Sequence, residues 1–356
     1  MTLKHLRVDG LRCLSEQSLD FSEGSNYLWG LNGSGKTSCL EAIYLLGRGR
    51  SFRTRQTARL VQHGRTGLTV FGVSVDVDGQ QHRLGVEFAD GHLESRRDGE
   101  AITSQVDMLR TLPVHVIDPR LHQLVEAGPS ERRRYLDSGV FHVEQGFLAD
   151  WRHYRRVLGQ RNAALKARAP DSELAVWTAP LVAAGLRVHE ARANYVSDLA
   201  VVAADLGRAL VGDDIRVEYR PGWRRGLDLG EALGEAMARD RASGFTQVGP
   251  HRADLQLNFA SGGVRETASR GQQKLVAAAL VLAQVRLFER RTGQRSTLLL
   301  DDASAELDDS AQLRLSEALE GLKSQQILTG LSLESLQPKP GFPVFHVEQG
   351  KIRAML

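Results

Sequence analysis

The chain has 356 residues, of which 42% are hydrophobic and 25% charged, an ordinary composition for a globular protein large enough to form two lobes. Its 46 lysines and arginines stand against 43 aspartates and glutamates, and the resulting net charge of +3 is too small to indicate nucleic-acid binding by itself. The absence of a long apolar run or a signal peptide disfavours a membrane or secreted protein, and two cysteines, Cys13 and Cys39, suit a reducing cytoplasm.

The first predicted elements are two strands, Leu3 to Val8 and Ser18 to Phe21, followed by a third apolar segment at residues 27–29. The next eight residues match G-x-x-x-x-G-K-[ST], the phosphate loop of nucleotide-binding proteins. They are Gly30, Leu31, Asn32, Gly33, Ser34, Gly35, Lys36 and Thr37. An amphipathic helix signal follows. Strand, loop and helix are the context in which this motif binds phosphate, and a chance glycine-rich turn is the alternative.

Each fixed position of this motif has a role in binding a nucleoside triphosphate. Glycines let backbone N–H groups turn inward around the phosphates, and the following helix adds its positive end. Lys36 places a positive charge beside the outer phosphates, and the Thr37 hydroxyl is a ligand for Mg²⁺. The motif therefore predicts binding of ATP or GTP with Mg²⁺.

From Leu68 to Arg97 the pattern changes to antiparallel β-structure. Valines at positions 73, 75 and 77 alternate with polar residues, and Asp-Gly pairs at residues 78–79, 90–91 and 98–99 predict hairpin turns. We therefore expect a β-subdomain beside the nucleotide.

Between about Pro129 and Arg239 the pattern is mainly helical, with a break at Ala169 and Pro170 and an interruption at Pro180. A short strand from Ile215 to Tyr219 follows. These predicted helices are too short and broken for a sustained heptad repeat, which excludes a long coiled coil. This region is expected to form a compact, mainly helical second lobe.

Clustered arginines in these segments are candidates for contacts with DNA phosphates. They are Arg50, Arg53, Arg132, Arg133, Arg134, Arg155 and Arg156. The alternative is a solvated charged face, which is the commoner role of a charge run. His251 has no second ligand residue at metal-binding spacing, so we expect it to form hydrogen bonds within its loop.

A second anion site is predicted where Ser269 to Lys274 precedes the apolar stretch Leu275 to Phe288. That stretch is long enough for about four turns of buried helix, and Ser269 is its candidate N-cap. A serine, a glycine and the free amides of a helix start can bind phosphate. Because the chain already has a phosphate loop for its own nucleotide, we expect this second site to bind the nucleotide of a partner subunit.

The apolar run Leu298 to Leu300 predicts a strand buried in a parallel sheet, with Asp301 and Asp302 at its carboxyl end. Asp301 would hold Mg²⁺, usually through water, and Asp302 would orient or deprotonate the attacking water. An Asp-Asp turn that ends an ordinary core strand is the alternative. Strand, helix and strand signals continue to residue 347, so the nucleotide lobe is assembled from both ends of the chain.

Taken in order, these motifs resemble those of ABC-type ATPases and, more specifically, the RecF family of the SMC-like branch, whose members are ATP-dependent DNA-binding proteins. The likeness covers essentially the whole chain. It rests on residues 49–53, 128–137, 249–254, 269–274 and 301–302. Two departures are Ala268, where leucine is common, and Ala305, where serine is common.

The resemblance implies an α/β fold of the ABC-ATPase head type, with parallel and antiparallel β-structure in the phosphate-loop lobe. We expect residues 1–115 with 275–356 to form this nucleotide-binding lobe. Residues 116–274 would form the mainly helical lobe, which carries the ABC-type signature motif at residues 269–274.

It also implies roles for single residues. Ser269, Gly271 and Gln272 of one subunit would close on the terminal phosphate of ATP held by the other. Residues 305–308 resemble the D-loop, which places Asp308 at that interface. Arg12 occupies a position where SMC-like ATPases contact nucleotide, although an ion pair with Asp9 or Glu16 is an equal alternative. Thr329 is the candidate phosphate-sensing switch.

The function that the resemblance implies is ATP-driven assembly of a homodimer that clamps DNA at single-strand gaps and junctions. Slow Mg²⁺-dependent hydrolysis would release it, and RecO and RecR would be partners in loading RecA. The competing interpretation is the motor subunit of an ABC transporter, which the missing switch histidine and the arginine clusters disfavour. A GTPase is disfavoured because the chain lacks an Asn-Lys-x-Asp motif.

Overall fold

The computed structural model describes residues 1–102, 107–108, 111–302 and 307–355. The chain divides into two compact units, unit 1 (residues 1–121 and 284–356) and unit 2 (residues 122–283). The strands are β1 (Thr2–Asp9), β2 (Gln17–Asp20), β3 (Ser25–Trp29), β4 (Leu68–Val75), β5 (Gln81–Ala89), β6 (His92–Arg97), β7 (Glu100–Ala101), β8 (Val114–Ile117), β9 (Arg216–Arg220), β10 (Asp254–Phe259), β11 (Gly262–Gly263), β12 (Thr297–Leu300), β13 (Gln325–Gly330), β14 (Val344–Glu348) and β15 (Lys351–Met355). The helices are α1 (Lys36–Arg48), α2 (Gln123–Glu126), α3 (Pro129–Val143), α4 (Phe147–Lys166), α5 (Asp171–Val211), α6 (Leu229–Ser243), α7 (Val264–Thr267), α8 (Arg270–Thr292), α9 (Asp309–Glu320) and α10 (Leu333–Leu336).

Unit 1 contains two six-stranded sheets, so the expected combination of parallel and antiparallel β-structure is confirmed. One sheet has the order β15-β14-β3-β13-β12-β8, and every neighbouring pair in it is parallel except β14 with β15. The second sheet, β2-β1-β4-β5-β6-β7, is antiparallel throughout. Strand β12 is buried along its whole length between β13 and β8, as its uninterrupted apolar sequence predicts.

Helix α1 packs against both sheets of unit 1. All of its residues from Lys36 to Gly47 are buried except Thr37. The helix ends at a left-handed Gly49, whose N–H is bonded to the Leu45 carbonyl. At Gly47 a Cβ atom would lie 2.5 Å from the Leu112 carbonyl oxygen, so glycine allows the helix to approach β8 closely. This packing fixes the helix start, and therefore the phosphate loop, against the parallel sheet.

The predicted hairpin turns are confirmed. Asp90 and Gly91 both have positive φ, at 53° and 81°, and so do Asp98 and Gly99, at 52° and 94°. Two consecutive residues with positive φ form the turn whose twist matches that of paired strands, and Asp-Gly adopts it readily. The third pair includes Gly79, with φ 81°, in a turn closed by the Asp76 N–H to Gln80 carbonyl bond.

Unit 2 is mainly helical, and one prediction about its helices was wrong. The break near Pro170 is present, but Pro180 does not interrupt the next helix, because α5 runs for 41 residues. Proline has no N–H, so the carbonyl of Val176, four positions before Pro180, loses its helical partner. Both residues lie on an exposed face of α5. The proline ring therefore meets no core atoms and the freed carbonyl faces solvent, so tertiary packing of α5 against α4 maintains the helix.

The remaining β-structure of unit 2 is a three-stranded antiparallel sheet with the order β11-β10-β9. Its strand β9 follows α5 and pairs with β10, which follows the loop at residues 249–253. Among the helices of the described residues, none combines the length and the apolar composition needed to cross a membrane.

Candidate nucleotide site and arginine clusters

The phosphate loop lies at the carboxyl end of β3, where the parallel sheet opens. Gly33 and Gly35 have φ values of 78° and 121°, which glycine adopts without strain. Gly30 is fixed by close approach, since a Cβ atom there would lie 2.2 Å from the Val347 carbonyl oxygen. The glycines therefore allow the backbone to turn tightly around a space for an anion, although the Gly30 and Ser34 N–H groups already donate to the Gly330 and Leu31 carbonyls.

Two polar groups of this loop lack the partners that a phosphate would supply. The Lys36 side chain is buried, and its Nζ donates to the carbonyl oxygens of Gly30 and Leu31, at 2.7 and 3.2 Å. The Ser34 hydroxyl oxygen is buried and has no hydrogen-bond partner in the described part of the chain. Buried polar groups are normally hydrogen-bonded, so an unpaired hydroxyl beside a buried ammonium group indicates a place for an anionic ligand.

A chain of hydrogen bonds joins the helix start to the predicted acidic pair. The Thr37 hydroxyl donates to Asp301, with 2.8 and 3.0 Å to the two carboxylate oxygens. The Thr329 hydroxyl lies 3.2 Å from Asp301 Oδ1 and accepts from the Asp302 backbone N–H at 2.9 Å. Residues separated by almost 300 positions in sequence are thus brought together at one edge of the sheet, as the order of the motifs predicts.

The carboxylates at this edge are held in an unfavourable electrostatic environment. Burial raises the pKa of Asp301, and the nearby charges of Asp302 and Asp118 raise it further, while the hydrogen bond from Thr37 lowers it. Asp302 has a left-handed φ of 44°, and its buried Oδ1 has no hydrogen-bond partner among the residues that the structure describes. The carboxylates of Asp301 and Asp302 form no ion pair with a described residue, and their oxygens favour a divalent cation at this position.

Sequence reasoning missed Asp118, which follows β8 just as Asp301 follows the neighbouring β12. Its carboxylate is bonded to Arg120, and its charge acts on Asp301. The signal was an aspartate directly after a short apolar run, the same pattern that identified Asp301.

Arg12 has neither of the ion pairs considered from the sequence. It forms two hydrogen bonds with Glu41 of α1, at 3.0 and 3.1 Å, whereas Asp9 pairs with Arg65 and Glu16 with Arg7. Glu41 is fully buried and also lies 3.6 Å from Arg53. A charged residue inside an otherwise apolar helix was the available sequence signal for this anchor.

The signature residues lie in unit 2 and begin α8. The Ser269 N–H donates to the Gln272 side chain at 2.9 Å, and the Gln272 N–H donates to the Ser269 hydroxyl at 3.3 Å. This reciprocal pair is a capping box, so Ser269 is the helix N-cap as predicted. A Cβ atom at Gly271 would meet nothing within 4 Å, so the packing of its own chain does not require glycine there.

Part of the D-loop prediction lies outside the described residues, which include neither Ala305 nor Glu306. Asp308 caps helix α9, accepting from the Ala311 N–H at 2.8 Å and the Ser310 hydroxyl at 2.7 Å. These bonds, chiefly that from Ser310, lower the pKa of Asp308.

The candidate DNA-contacting arginines fall into two groups. The first group forms ion pairs within the chain. Arg132 forms a bidentate pair with Asp254 at 2.7 and 3.0 Å and donates to the Ala127 carbonyl. Arg134 pairs with Glu131 and Arg53 with Glu41. The second group forms no ion pair with any described residue. Its members are Arg50, Arg133, Arg155 and Arg156.

His251 forms hydrogen bonds within unit 2, as expected. Its Nδ1 lies 2.6 Å from the Tyr154 hydroxyl, and its Nε2 lies 2.9 Å from the Thr246 carbonyl oxygen. A carbonyl can only accept, so Nε2 carries the proton and Nδ1 accepts from Tyr154. Burial lowers the pKa of His251 to about 4, with further lowering by Arg252, Arg155 and Arg133. The ring is therefore neutral at pH 7.

The lowered pKa of His251 predicts a loss of stability in mild acid. Between its ordinary pKa of 6.5 and the folded pKa of about 4, the unfolded chain binds a proton that the folded chain does not. Stability therefore falls as the pH falls through this window, by about 1 kcal/mol between pH 7 and pH 5.5. Urea unfolding at the two pH values should show a loss about 1 kcal/mol smaller in His251→Gln than in the wild type. His115 and His189, whose pKa values burial also lowers, contribute to the loss in both proteins. An equal loss in both proteins would contradict the assignment.

Comparison with known proteins identifies the family. A family model described as the RecF/RecN/SMC N terminal domain matches residues 2–350. DNA replication and repair protein RecF of Azotobacter vinelandii is 40% identical over 99% of this chain and 98% of its own length. The protein of that name from Hydrogenovibrio crunogenus is 37% identical over 97% and 95% of the two chains.

A solved structure of the recombination mediator protein RecF with ATP, in the RecFOR pathway, superposes with a TM-score of 0.87 at 27% identity, covering 100% of this chain and 98% of that one. Its fold is the expected ABC-ATPase head. Sequence and fold agree along the full length, and the chain belongs to the RecF family.

Proposed function

We propose that the chain binds ATP with Mg²⁺, closes as a homodimer on DNA and acts in DNA replication and repair, with hydrolysis as the step that releases DNA. The observation that carries this proposal is the convergence of Lys36, Thr37, Asp301 and Asp302 at one edge of the parallel sheet. The curated relatives are named for DNA replication and repair, and the related structure contains ATP.

The residues present fit ATP and Mg²⁺. The buried, unpaired Ser34 hydroxyl and the glycine-lined loop suit a phosphate, and Lys36 can exchange its two carbonyl partners for phosphate oxygens. The Thr37 hydroxyl and the Asp301 carboxylate are oxygen ligands of the kind that Mg²⁺ prefers, and their contact places them on the same side of the loop. The bound metal would neutralise charge on the transferred phosphoryl group.

Asp302 is the candidate base for hydrolysis. Its Oδ1, which has no hydrogen-bond partner among the described residues, can accept a proton from an attacking water, and the bond from its backbone N–H to Thr329 holds its backbone in place. We propose that Thr329 senses the state of the site, because its hydroxyl contacts both Asp301 and the backbone of Asp302. Movement of either acidic residue would break this bridge.

The site is completed by a second copy of the chain. The helix start at Ser269 offers backbone amides and a hydroxyl to an anion, and Gly271 is open on the side where a Cβ would project. We propose that Ser269, Gly271 and Gln272 contact the terminal phosphate bound by the partner, and that Asp308 lies at the same interface. RecO and RecR are the proposed protein partners, since the related structure is assigned to the RecFOR pathway.

Size-exclusion chromatography with light scattering tests this proposal. The chain should change from monomer to dimer with ATP and Mg²⁺ but not with GTP, and the dimer should then bind a gapped duplex. A chain that remains monomeric at saturating ATP and Mg²⁺ would refute it. A transporter motor would instead dimerise without any response to DNA.

Gly271→Ala separates the proposed interface from the stability of the chain. Alanine in the first turn of α8 should stabilise the ligand-free protein by about 0.5–1 kcal/mol, because glycine is the poorer helix former and space is available. The added methyl group should obstruct the partner's phosphate and abolish ATP-dependent dimerisation. Thermal unfolding and light scattering measure the two effects. Normal dimerisation of the variant would remove Gly271 from the interface.

A further inference from the structure

One loop of unit 2, at residues 249–253, is held by three helices. Arg192 of α5 donates to the Pro250 carbonyl at 2.6 Å, and Tyr154 of α4 donates to His251. Arg133 of α3 donates to the Ala253 carbonyl at 2.8 Å. Arg192 is itself fixed by a bidentate ion pair with Asp137. The loop is therefore rigid, and the residues next to these anchors have defined positions.

Three arginines are brought together by these anchors. Arg155 follows Tyr154, Arg252 follows His251, and Arg133 bonds to the residue after Arg252. None of the three forms an ion pair with an acid among the described residues. The charges of all three act on His251, so they lie around the same ring. Burial and the charges of Arg192 and Arg252 lower the pKa of Arg133, against the opposing charges of Asp254 and Asp137.

The two exposed arginines are oriented by aromatic rings. The Arg155 guanidinium carbon lies 5.5 Å from the centre of the Trp151 ring, and that of Arg252 lies 5.5 Å from the centre of the Phe245 ring. Phe245 is 39% exposed, so its ring and the Arg252 guanidinium group both lie at the surface. Stacking reduces the freedom of each guanidinium group while leaving its N–H edges open to solvent.

We propose that Arg133, Arg155 and Arg252 form a phosphate-binding surface for the DNA backbone, pre-ordered by Trp151, Phe245 and the loop at residues 249–253. The inference rests on the proposed function and locates one of its DNA contacts. Arg155 and Arg252 form no ion pair with an acid of the described residues, and DNA phosphates would neutralise their charges. Each ring already has an arginine over one face, and His251 is neutral, so the surface offers charge and not base stacking or base recognition.

The test compares two double variants that remove the same charge from unit 2. Arg155→Gln with Arg252→Gln alters the proposed surface. Arg224→Gln with Arg225→Gln is the matched control, because these exposed arginines pair with Glu235 and Glu218. Binding of the full chain with ATP and Mg²⁺ to a labelled gapped duplex is measured across a salt series.

In the surface variant, the slope of log affinity against log salt should decrease in magnitude by about 1.8, or about 0.9 per phosphate lost, and affinity at 0.1 M salt should fall about tenfold to a hundredfold. The control should match the wild type, and Arg155→Lys with Arg252→Lys should recover most of the slope. ATP-dependent dimerisation, unchanged in all variants, shows that they fold. If the surface variant does not fold, the two single glutamine variants are measured instead, and the magnitude of the salt slope should decrease by about 0.9 in each.

Wild-type slope and affinity in a folded surface variant would overturn the inference while leaving the proposed function intact. That outcome would assign the arginines to an acidic protein surface instead. Failure of the wild type itself to bind DNA would overturn both. An equal loss in the control and the surface variant would also overturn the inference, because it would show an effect of net charge alone.

Discussion

Lys36→Ala should lose ATP-dependent dimerisation completely. The Lys36 ammonium group is the buried positive charge of the phosphate loop, and in the ligand-free protein its partners among the described residues are two carbonyl oxygens. Losing a charge-assisted contact to phosphate weakens binding by about a hundredfold or more. At an ATP concentration 100 times the wild-type dissociation constant, wild-type stabilisation of about 2.7 kcal/mol should shrink to a few tenths of a kcal/mol in the variant.

Thermal unfolding with and without ATP and Mg²⁺ measures this effect, and light scattering measures the dimer. Lys323→Ala is the control, because Lys323 is an exposed lysine of the same unit that lies outside the phosphate loop. The control should respond to ATP as the wild type does. Dimers of Lys36→Ala that form at the wild-type ATP concentration would contradict the role of this lysine.

Asp302→Asn should produce the opposite phenotype, a dimer that forms and does not dissociate. Asparagine has the same size and tolerates the left-handed φ of 44°, so the fold and the metal site should remain. It cannot accept a proton from water, and the loss of a general base should reduce turnover by about a hundredfold to a thousandfold. DNA complexes of the variant should outlast those of the wild type by a similar factor.

Phosphate release gives the turnover, and light scattering after removal of free ATP gives the lifetime of the dimer. Asp214→Asn, at an exposed aspartate that pairs with Arg208, serves as the control. If Asp302→Asn hydrolyses ATP at the wild-type rate, the base must be another group, and Asp118, whose charge also acts on Asp301, would be the next candidate to test.

The sequence predicted those parts of the fold that depend on local patterns. The phosphate loop, the buried strand before Asp301 and the Asp-Gly hairpins each follow from residue types at fixed spacing, and the structure contains all of them. The association of Thr37 with Asp301 was predictable as well, because the carboxyl ends of parallel strands lie at one edge.

Features that depend on tertiary packing were less accessible. Pro180 reads as a helix breaker, yet exposure of its face and packing elsewhere along α5 allow the helix to continue. Ion pairs could not be assigned from sequence spacing. Arg12 pairs with Glu41, 29 positions away, and not with Asp9 or Glu16, which are nearer in sequence. Spacing could not separate the neighbouring arginines for the same reason. Arg132 forms a half-buried ion pair with Asp254, whereas Arg133 forms no ion pair with a described residue and donates to the Ala253 carbonyl.

The turn between β14 and β15 supports the phosphate loop from its far side. The Gly350 N–H donates to the Ser34 carbonyl at 2.8 Å, and the Val347 carbonyl lies against Gly30. During synthesis, the loop at residues 30–37 leaves the ribosome some 300 residues before this support does. A nascent chain therefore cannot support its phosphate loop from this side until residues 347–350 have been synthesised.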